Sequence, residues 1–314
     1  MTSAVDHPLL IGGERIETGA WTEVGSPYSG QLVGRIAKGG AVETRNALDA
    51  AAAALANPLP AHERARILDA TARLLAERQE EAAQLISAEA GKPLKSARVE
   101  AQRAVSTYTF AAVEARKLTG ETVPMDASPA GEGKLAFTLR LPIGVIGAIS
   151  PFNFPLNLVA HKIAPALAAG CPVVLKPATS TPLSALFLAD LEAEAGLPAG
   201  WLNVVSGSSA EIGDAIIEDE RVKLITFTGS AEVGWGIAAR AAHKRVKLEL
   251  GNATPAIVCA DAPPDTAAKL AANSFSFAGQ SCISVQRIFV LADGWDAFIA
   301  DFVPKVEALK VGDP

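Results

Sequence analysis

Cysteine is scarce in these 314 residues: there are three, an odd number, too few for a disulfide scaffold and in keeping with a reducing compartment. Positive charge is not in surplus either. Lys and Arg total 28 against 34 Asp and Glu, a formal charge of −6, which repels a phosphate backbone and an anionic bilayer alike. Neither nucleic acid nor a membrane is expected as a partner. Met1 to Gly12 carries Asp6 and no basic run ahead of an apolar stretch, so no secretory leader is expected and the expected location is cytoplasmic. With Gly at 26 and Pro at 20 the chain is neither collagen-like nor of low complexity, and 49% apolar with 20% charged residues leaves little room for wholesale disorder. One uncharged run, Leu141 to Ala160, reaches the ~20 residues of a membrane-spanning helix. Pro142, Pro151 and Pro155 break its hydrogen-bond ladder, and Asn153 and Asn157 would sit unpaired in hydrocarbon. It reads as a buried strand followed by a polar turn.

What is present reads as α/β, in two domains or one large unit. The first part is mostly helical by pattern. Ala41–Ala56 ends at Asn57-Pro58, and Ala61–Ala90 carries Ile67, Leu68, Leu74, Leu75, Leu85 and Ile86 along one face. A further helix runs from beyond Pro93 to about Leu118, and Gly120–Arg140 reads as a protruding hairpin with a strand near Leu135–Leu139. From residue 143 short apolar runs (143–149, 172–175, 202–205, 223–227, 246–250) alternate with helical stretches (158–169, 182–195, 209–217, 231–242). Such alternation predicts βαβ crossovers and a parallel sheet buried on both faces. A strand at 256–260, a helix at 266–277 and a strand at 286–291 follow, and the chain runs out at Val311–Pro314 in an open turn.

Dinucleotide sites in such sheets lie beyond the carboxyl ends of the strands, where helix N-termini offer free N–H groups to phosphate. The G-x-G-x-x-G pattern is absent from that position. Gly234-x-Gly236-x-x-Ala239 imitates it inside a helix, and Gly229 with Gly234 has Walker spacing but is followed by Trp235 and Gly236 in place of Lys and Ser/Thr. Phe227-Thr228-Gly229-Ser230 is better placed, at a strand-to-helix turn. Lys176 closes a strand, either to reach a ribose or phosphate or simply as a solvated lysine. Cys171 and Cys259, in apolar runs, read as inert core residues. Cys282 lies between a helix and a strand among Gly279, Gln280, Ser281, Ile283 and Ser284, a setting for an exposed thiol. No histidine is an evident partner. Glu249, at the end of an apolar strand, is either solvated at the strand edge or a buried acid with a raised pKa. Asn153, between two prolines, is an amide donor on a rigid turn.

Pro151-Phe152-Asn153-Phe154-Pro155, Lys176-Pro177, Phe227-Thr228-Gly229-Ser230, Glu249-Leu250-Gly251 and Gly279-Gln280-Ser281-Cys282 occur in the order found in the aldehyde dehydrogenase superfamily. The resemblance runs from about residue 10 to the end, and Phe277–Val290 looks like the branch acting on lactaldehyde and related small polar aldehydes. It implies that Cys282 attacks the aldehyde, with the oxyanion held by the Asn153 amide and the Cys282 N–H, and that Glu249 activates the water that hydrolyses the resulting thioester. Coenzyme-A-acylating relatives lack that acid, so Glu249 favours hydrolysis. NAD or NADP is the implied cofactor, held by Ser150, Pro151, Phe152, Lys176, Thr179, Gly229, Ser230, Val233 and Gly251. No metal is implied. Thr179 stands where NAD-preferring members often have Glu, so NADP should be tolerated.

The implied architecture is a Rossmann-like parallel-sheet cofactor domain (1–119 with 141–249), a small protruding β hairpin for oligomerisation (120–140) and the start of an α/β catalytic domain (250–314). A homodimer or homotetramer is implied for the full-length protein, with a small aldehyde as substrate. Three departures stand out. Gly251-Asn252 replaces two glycines, Cys282 follows Glu249 at 33 positions, about one fewer than the family pattern, and members continue well beyond the equivalent of Pro314. The last leads us to expect a fragment or a truncated product. A non-catalytic nucleotide-binding scaffold and a cofactor-free thiol hydrolase using Cys282 and Glu249 stand as alternatives.

Overall fold

The computed structural model describes residues 5–314. The N-terminal part, read above as mostly helical, opens with five short strands: β1 (Asp6–His7), β2 (Leu9–Ile11), β3 (Glu14–Ile16), β4 (Trp21–Gly25) and β5 (Leu32–Ala37). Most of them mix polar with apolar residues, as in Glu14-Arg15-Ile16 and Trp21–Gly25, so they lack the continuous apolar run that marks the strands after residue 143. Helices α1 (Ala41–Leu55), α2 (Ala61–Glu77), α3 (Gln79–Ala90) and α4 (Leu94–Lys117) follow. The single helix expected over 61–90 is therefore two, broken at Arg78, whose φ of −109° and ψ of 25° leave the helical basin. A hairpin of β6 (Thr122–Val123) and β7 (Ala136–Phe137) pairs antiparallel, as the composition change at Gly120 anticipates.

The alternating half contains β8 (Val145–Ile149), α5 (Asn157–Ala168), β9 (Val173–Lys176), α6 (Leu183–Glu194), β10 (Leu202–Val204), α7 (Ser209–Glu218), β11 (Val222–Thr228), α8 (Ala231–Arg240) and β12 (Arg245–Glu249). Their strands form one sheet in the order β12-β11-β8-β9-β10, all parallel, extended antiparallel by β2 and β3. β9 is Val-Val-Leu-Lys with every residue buried, the continuous pattern of a strand covered on both faces. Helix α1 lies on one face with α7, and α5 and α6 lie on the other beneath α2, α3 and α4. At Gly147 of β8 a Cβ would overlap Ile216 of α7, so glycine is what lets that helix approach the sheet. The strand order reverses between β8 and β11, and the crevice beyond their carboxyl ends is the topological switch point.

The last part is thinner. It holds β13 (Pro255–Val258), α9 (Thr266–Phe275), β14 (Arg287–Val290) and α10 (Trp295–Glu307), with β13 and β14 paired parallel as a separate two-stranded sheet. Helix α10 was not anticipated by the sequence reading, and it has no buried residue. Cys171 is buried as expected. Cys259, expected in the core, is exposed just beyond β13, on the same outward-facing alternation as Pro255 and Ile257, which no other element covers among the described residues. Among the described residues no helix is long and apolar enough to cross a membrane.

Candidate active site

A cavity of about 850 Å³ occupies the switch point. Ser150, Pro151, Phe152 and Asn153 enter it from the end of β8, Lys176 from the end of β9, Gly229, Ser230 and Val233 from the turn into α8, Glu249 and Gly251 from the end of β12, and Cys282 from across the opening. Thr179 is not on its wall. The Thr179 hydroxyl donates instead to the Gly207 carbonyl at 3.3 Å, and Ser180 takes the lining position.

Each element end supplies a distinct group. Helix α8 starts at Ser230, whose hydroxyl accepts the Val233 N–H at 3.4 Å and leaves neighbouring N–H groups pointing into the cavity. Glycine at 229 is dictated by packing, since a Cβ there would lie 2.5 Å from the Phe227 ring. Lys176 is buried without a carboxylate partner, and its ammonium donates to the Pro177 carbonyl at 3.1 Å. Burial holds its pKa below the ordinary lysine value. The Ser150 hydroxyl is buried with no hydrogen-bond partner in the structure. A helix N-terminus, an uncompensated buried cation and an orphaned hydroxyl in one cavity fit the phosphates and ribose of a dinucleotide.

Cys282 is exposed and is reached through an unusual turn. Phe277 (φ 49°), Ala278 (φ 55°) and Gly279 (φ 74°) are successive residues in the left-handed region. For the two non-glycines that conformation costs about 1–3 kcal/mol each, so surrounding contacts must hold it. Three contacts do so. The Asn153 amide donates to the Gln280 carbonyl at 2.8 Å, the Asn252 amide donates to the Cys282 carbonyl, and the Lys92 ammonium lies 4.9 Å from the Phe277 ring centroid. Asn252, the departure from the double glycine, thus binds the backbone of Cys282 itself. The amide nitrogen of Asn153 has a second hydrogen left over, and the Cys282 N–H has no partner among the described residues. Glu249 is exposed, the solvated alternative of the two.

Sequence reasoning missed several groups here. Lys162 is buried in α5, donating to the Thr228 and Thr226 hydroxyls at 2.8 and 3.2 Å, with no carboxylate in contact. Burial pushes its pKa down to about 8, against the opposing pull of the Glu249 charge. A lysine preceded by a histidine in the otherwise apolar Leu158–Ala169 run was the available signal. Lys92 and Glu100 form a buried ion pair at 2.5 Å, with the ammonium 3.5 Å from the Phe154 ring centroid. Glu100 also accepts the Leu156 and Asn157 N–H groups at 3.0 and 3.1 Å, which caps α5 and anchors the segment that carries Asn153.

The aldehyde dehydrogenase family model matches residues 16–314. The chain is 44% identical over 315 residues to a 3-sulfolactaldehyde dehydrogenase of Priestia aryabhattai, covering 100% of this chain and 66% of that protein. It is 40% identical over 299 residues to a lactaldehyde dehydrogenase of Methanocaldococcus jannaschii, covering 93% of this chain and 63% of the relative. Among solved structures, the NADP-dependent glyceraldehyde-3-phosphate dehydrogenase of Bacillus halodurans complexed with NADP superimposes with a TM-score of 0.95 at 40% identity, covering 98% of this chain and 66% of the other. The chain thus spans just under two thirds of the length of these relatives.

Proposed function

The chain belongs to the aldehyde dehydrogenase family, and from that premise we propose that it carries the cofactor site and the nucleophile of an enzyme oxidising a small polar aldehyde to its acid with NAD or NADP. The convergence of Cys282, Glu249 and Asn153 with Lys176 and the α8 N-terminus on one cavity carries this reading. Similarity to a 3-sulfolactaldehyde dehydrogenase and a lactaldehyde dehydrogenase supports a small polar aldehyde as the substrate. In the proposed chemistry the Cys282 sulfur bonds to the carbonyl carbon, and the new oxyanion is held by the free Asn153 amide hydrogen and the Cys282 N–H. The dinucleotide, when bound, supplies the hydride acceptor that leaves a thioester on Cys282. Glu249 takes a proton from water, the water oxygen bonds to the acyl carbon, and the C–S bond breaks to release acid and thiolate. Lys162 lies close enough to feel the Glu249 charge and is a candidate to pass that proton on.

Lys176 and Ser150 would hold the ribose, and Gly229, Ser230 and Val233 the pyrophosphate. Pro151, Phe152 and Gly251 would line the same path. With no carboxylate at Thr179, a 2′-phosphate meets no repulsion, so both cofactors should bind. We assign residues 1–119 with 141–249 to the cofactor domain, 120–140 to an oligomer-forming arm of a homodimer or homotetramer, and 250–314 to the catalytic domain.

Alkylation by iodoacetamide, followed at each cysteine by mass spectrometry with and without NAD or NADP, tests the core of this. Cys282 should react far faster than Cys171 and Cys259, at a rate that either dinucleotide changes. Equal rates at Cys282 and Cys259, indifferent to both cofactors, would overturn it.

A further inference from the structure

We propose that Glu89 is a positioning residue of the cofactor site: it holds the loop 177–182 in the register that turns Ser180 toward the dinucleotide and Thr179 away from it. The proposal rests on the reading above that the cavity takes NAD or NADP.

Glu89 stands where its own helix disfavours it. It is the penultimate residue of α3, and a carboxylate there meets the negative end of the helix dipole. It is 2% exposed and has no ion-pair partner among the described residues. Its hydrogen bonds go instead to the start of α6, 94 and 95 positions later in the chain. Glu89 accepts the Leu183 N–H at 2.8 Å, the Ser184 N–H at 2.9 Å and the Ser184 hydroxyl. Those donors have no local recourse. Pro182, at the N-cap, offers no side-chain acceptor, and Leu183 and Ser184 are buried away from water.

The helix starts around the cavity differ in kind. Helices α7 and α8 are capped locally, by Ser208 and Ser230. Helices α5 and α6 have no local cap, and each is capped from the α3 and α4 layer, by Glu100 and Glu89. A carboxylate already fills the α6 N-terminus, so α6 gives the cavity a fixed loop end rather than an anion site. The loop it fixes leaves β9 at Lys176 and alternates in direction. Ala178 and Ser180 line the cavity, the Thr179 hydroxyl donates to the Gly207 carbonyl at 3.3 Å, and the Thr181 hydroxyl donates to the Phe152 carbonyl at 3.4 Å. One turn bond closes it, from the Thr181 N–H to the Ala178 carbonyl at 3.2 Å. Both hydroxyl bonds are long for O–H···O, so the shorter, charge-assisted grip of Glu89 is the firmest hold on the far end of the loop. A slip of one residue would bring Thr179 to the wall and turn Ser180 out. The Thr181 bond to Phe152 would go with it, loosening the residue next to Asn153.

Calorimetric titration of the chain with NADP and with adenosine 2′,5′-bisphosphate tests this in Glu89→Gln, Ser184→Ala and Glu192→Gln, each shown to be folded by its urea transition. Glu89→Gln keeps the size of the side chain but has one acceptor oxygen. It should raise the Kd of both ligands by about tenfold, the cost of re-ordering one loosened backbone residue. Ser184→Ala should raise both by a smaller factor, and it carries the test where Glu89→Gln does not fold. Glu192→Gln replaces an equally buried acid of α6 that bonds Tyr108 rather than the loop, and it should leave both Kd values unchanged. An unchanged Kd in Glu89→Gln, or in Ser184→Ala where that variant stands in, would overturn the proposal and leave the cofactor reading standing. So would an equal loss in Glu192→Gln, or a loss seen with NADP and absent with the bisphosphate. A parent chain that binds neither ligand would overturn both.

Discussion

Strand β9 and strand β14 are both four residues long, both parallel to a neighbour, yet every residue of β9 is buried and none of β14 is. The same contrast holds for their surroundings. The centre of the large sheet, β8, β9 and β10, is closed by helices on both faces, while β13 and β14 leave Ile257 67% and Phe289 53% exposed. The candidate site straddles this difference. Asn153, Lys176 and the α8 N-terminus belong to the closed region, and Cys282 belongs to the open one. The Cys282 turn is tied across the seam by side chains from the closed half and its border, Asn153, Asn252 and Lys92, rather than by a core of its own. Precision at the sulfur is therefore borrowed from the better-packed side.

Cutting the seam at its chemistry should have the largest effect. Asn153→Ala removes both an oxyanion donor and the tie to Gln280, and turnover should fall by about 10²–10³-fold. Glu249→Gln should slow steady-state turnover by about 10²–10⁴-fold while the iodoacetamide rate at Cys282 stays within a few-fold of the parent. A parallel collapse of both readouts would mean that Glu249 acts on the thiol itself.

The next break is at the anchor. Lys92→Met leaves Glu100 buried without its cation and should cost about 3–5 kcal/mol by urea denaturation, whereas Lys92→Met with Glu100→Gln should recover a substantial part of that loss. If the single variant is as stable as the parent, the pair does not hold the seam.

Packing itself can be compared directly. Leu175→Ala in β9 should cost about 2–5 kcal/mol and Ile257→Ala in β13 no more than about 0.5 kcal/mol. Similar losses at the two sites would show that the outer face of β13 is covered in solution.

The smallest effect is a pH slope confined to the closed region. Glu192 is fully buried, accepts a hydrogen bond from Tyr108 and leaves its second oxygen without a partner, and burial pushes its pKa up from 4.5 to about 8. Glu89, capping α6 through Leu183 and Ser184, is pushed up to about 7 by burial. In both cases the folded state holds its proton more tightly than the unfolded chain. Their stabilising contribution is complete below pH about 4.5 and is lost as pH rises toward 7–8. Glu192→Gln should flatten part of the decline in denaturation midpoint between pH 5 and 9, and an unchanged slope would remove Glu192 as its source.

Much of this was legible in the residues. Apolar runs separated by helical periods carried the parallel sheet, and local motifs carried Asn153, Lys176, the Gly229 turn, Glu249 and Cys282, because each signal spans only a few neighbours. The strands before Ala41 were illegible because most mix polar and apolar residues with no continuous apolar run. Cys259 and α10 were misread or missed because an apolar run does not say whether anything will cover it.

The sequence by itself determined the fold class and the inventory of reactive groups, since periodicity and motif order are properties of consecutive residues. Tertiary structure alone decided that Thr179 leaves the cavity wall, that Lys162 loses its water beneath the Thr226 and Thr228 hydroxyls, and that Glu100 caps α5 from 56 positions earlier in the chain. Desolvation and hydrogen bonding depend on distance in space, and only the packing of α5 against the sheet and of α4 against α5 makes those distances short.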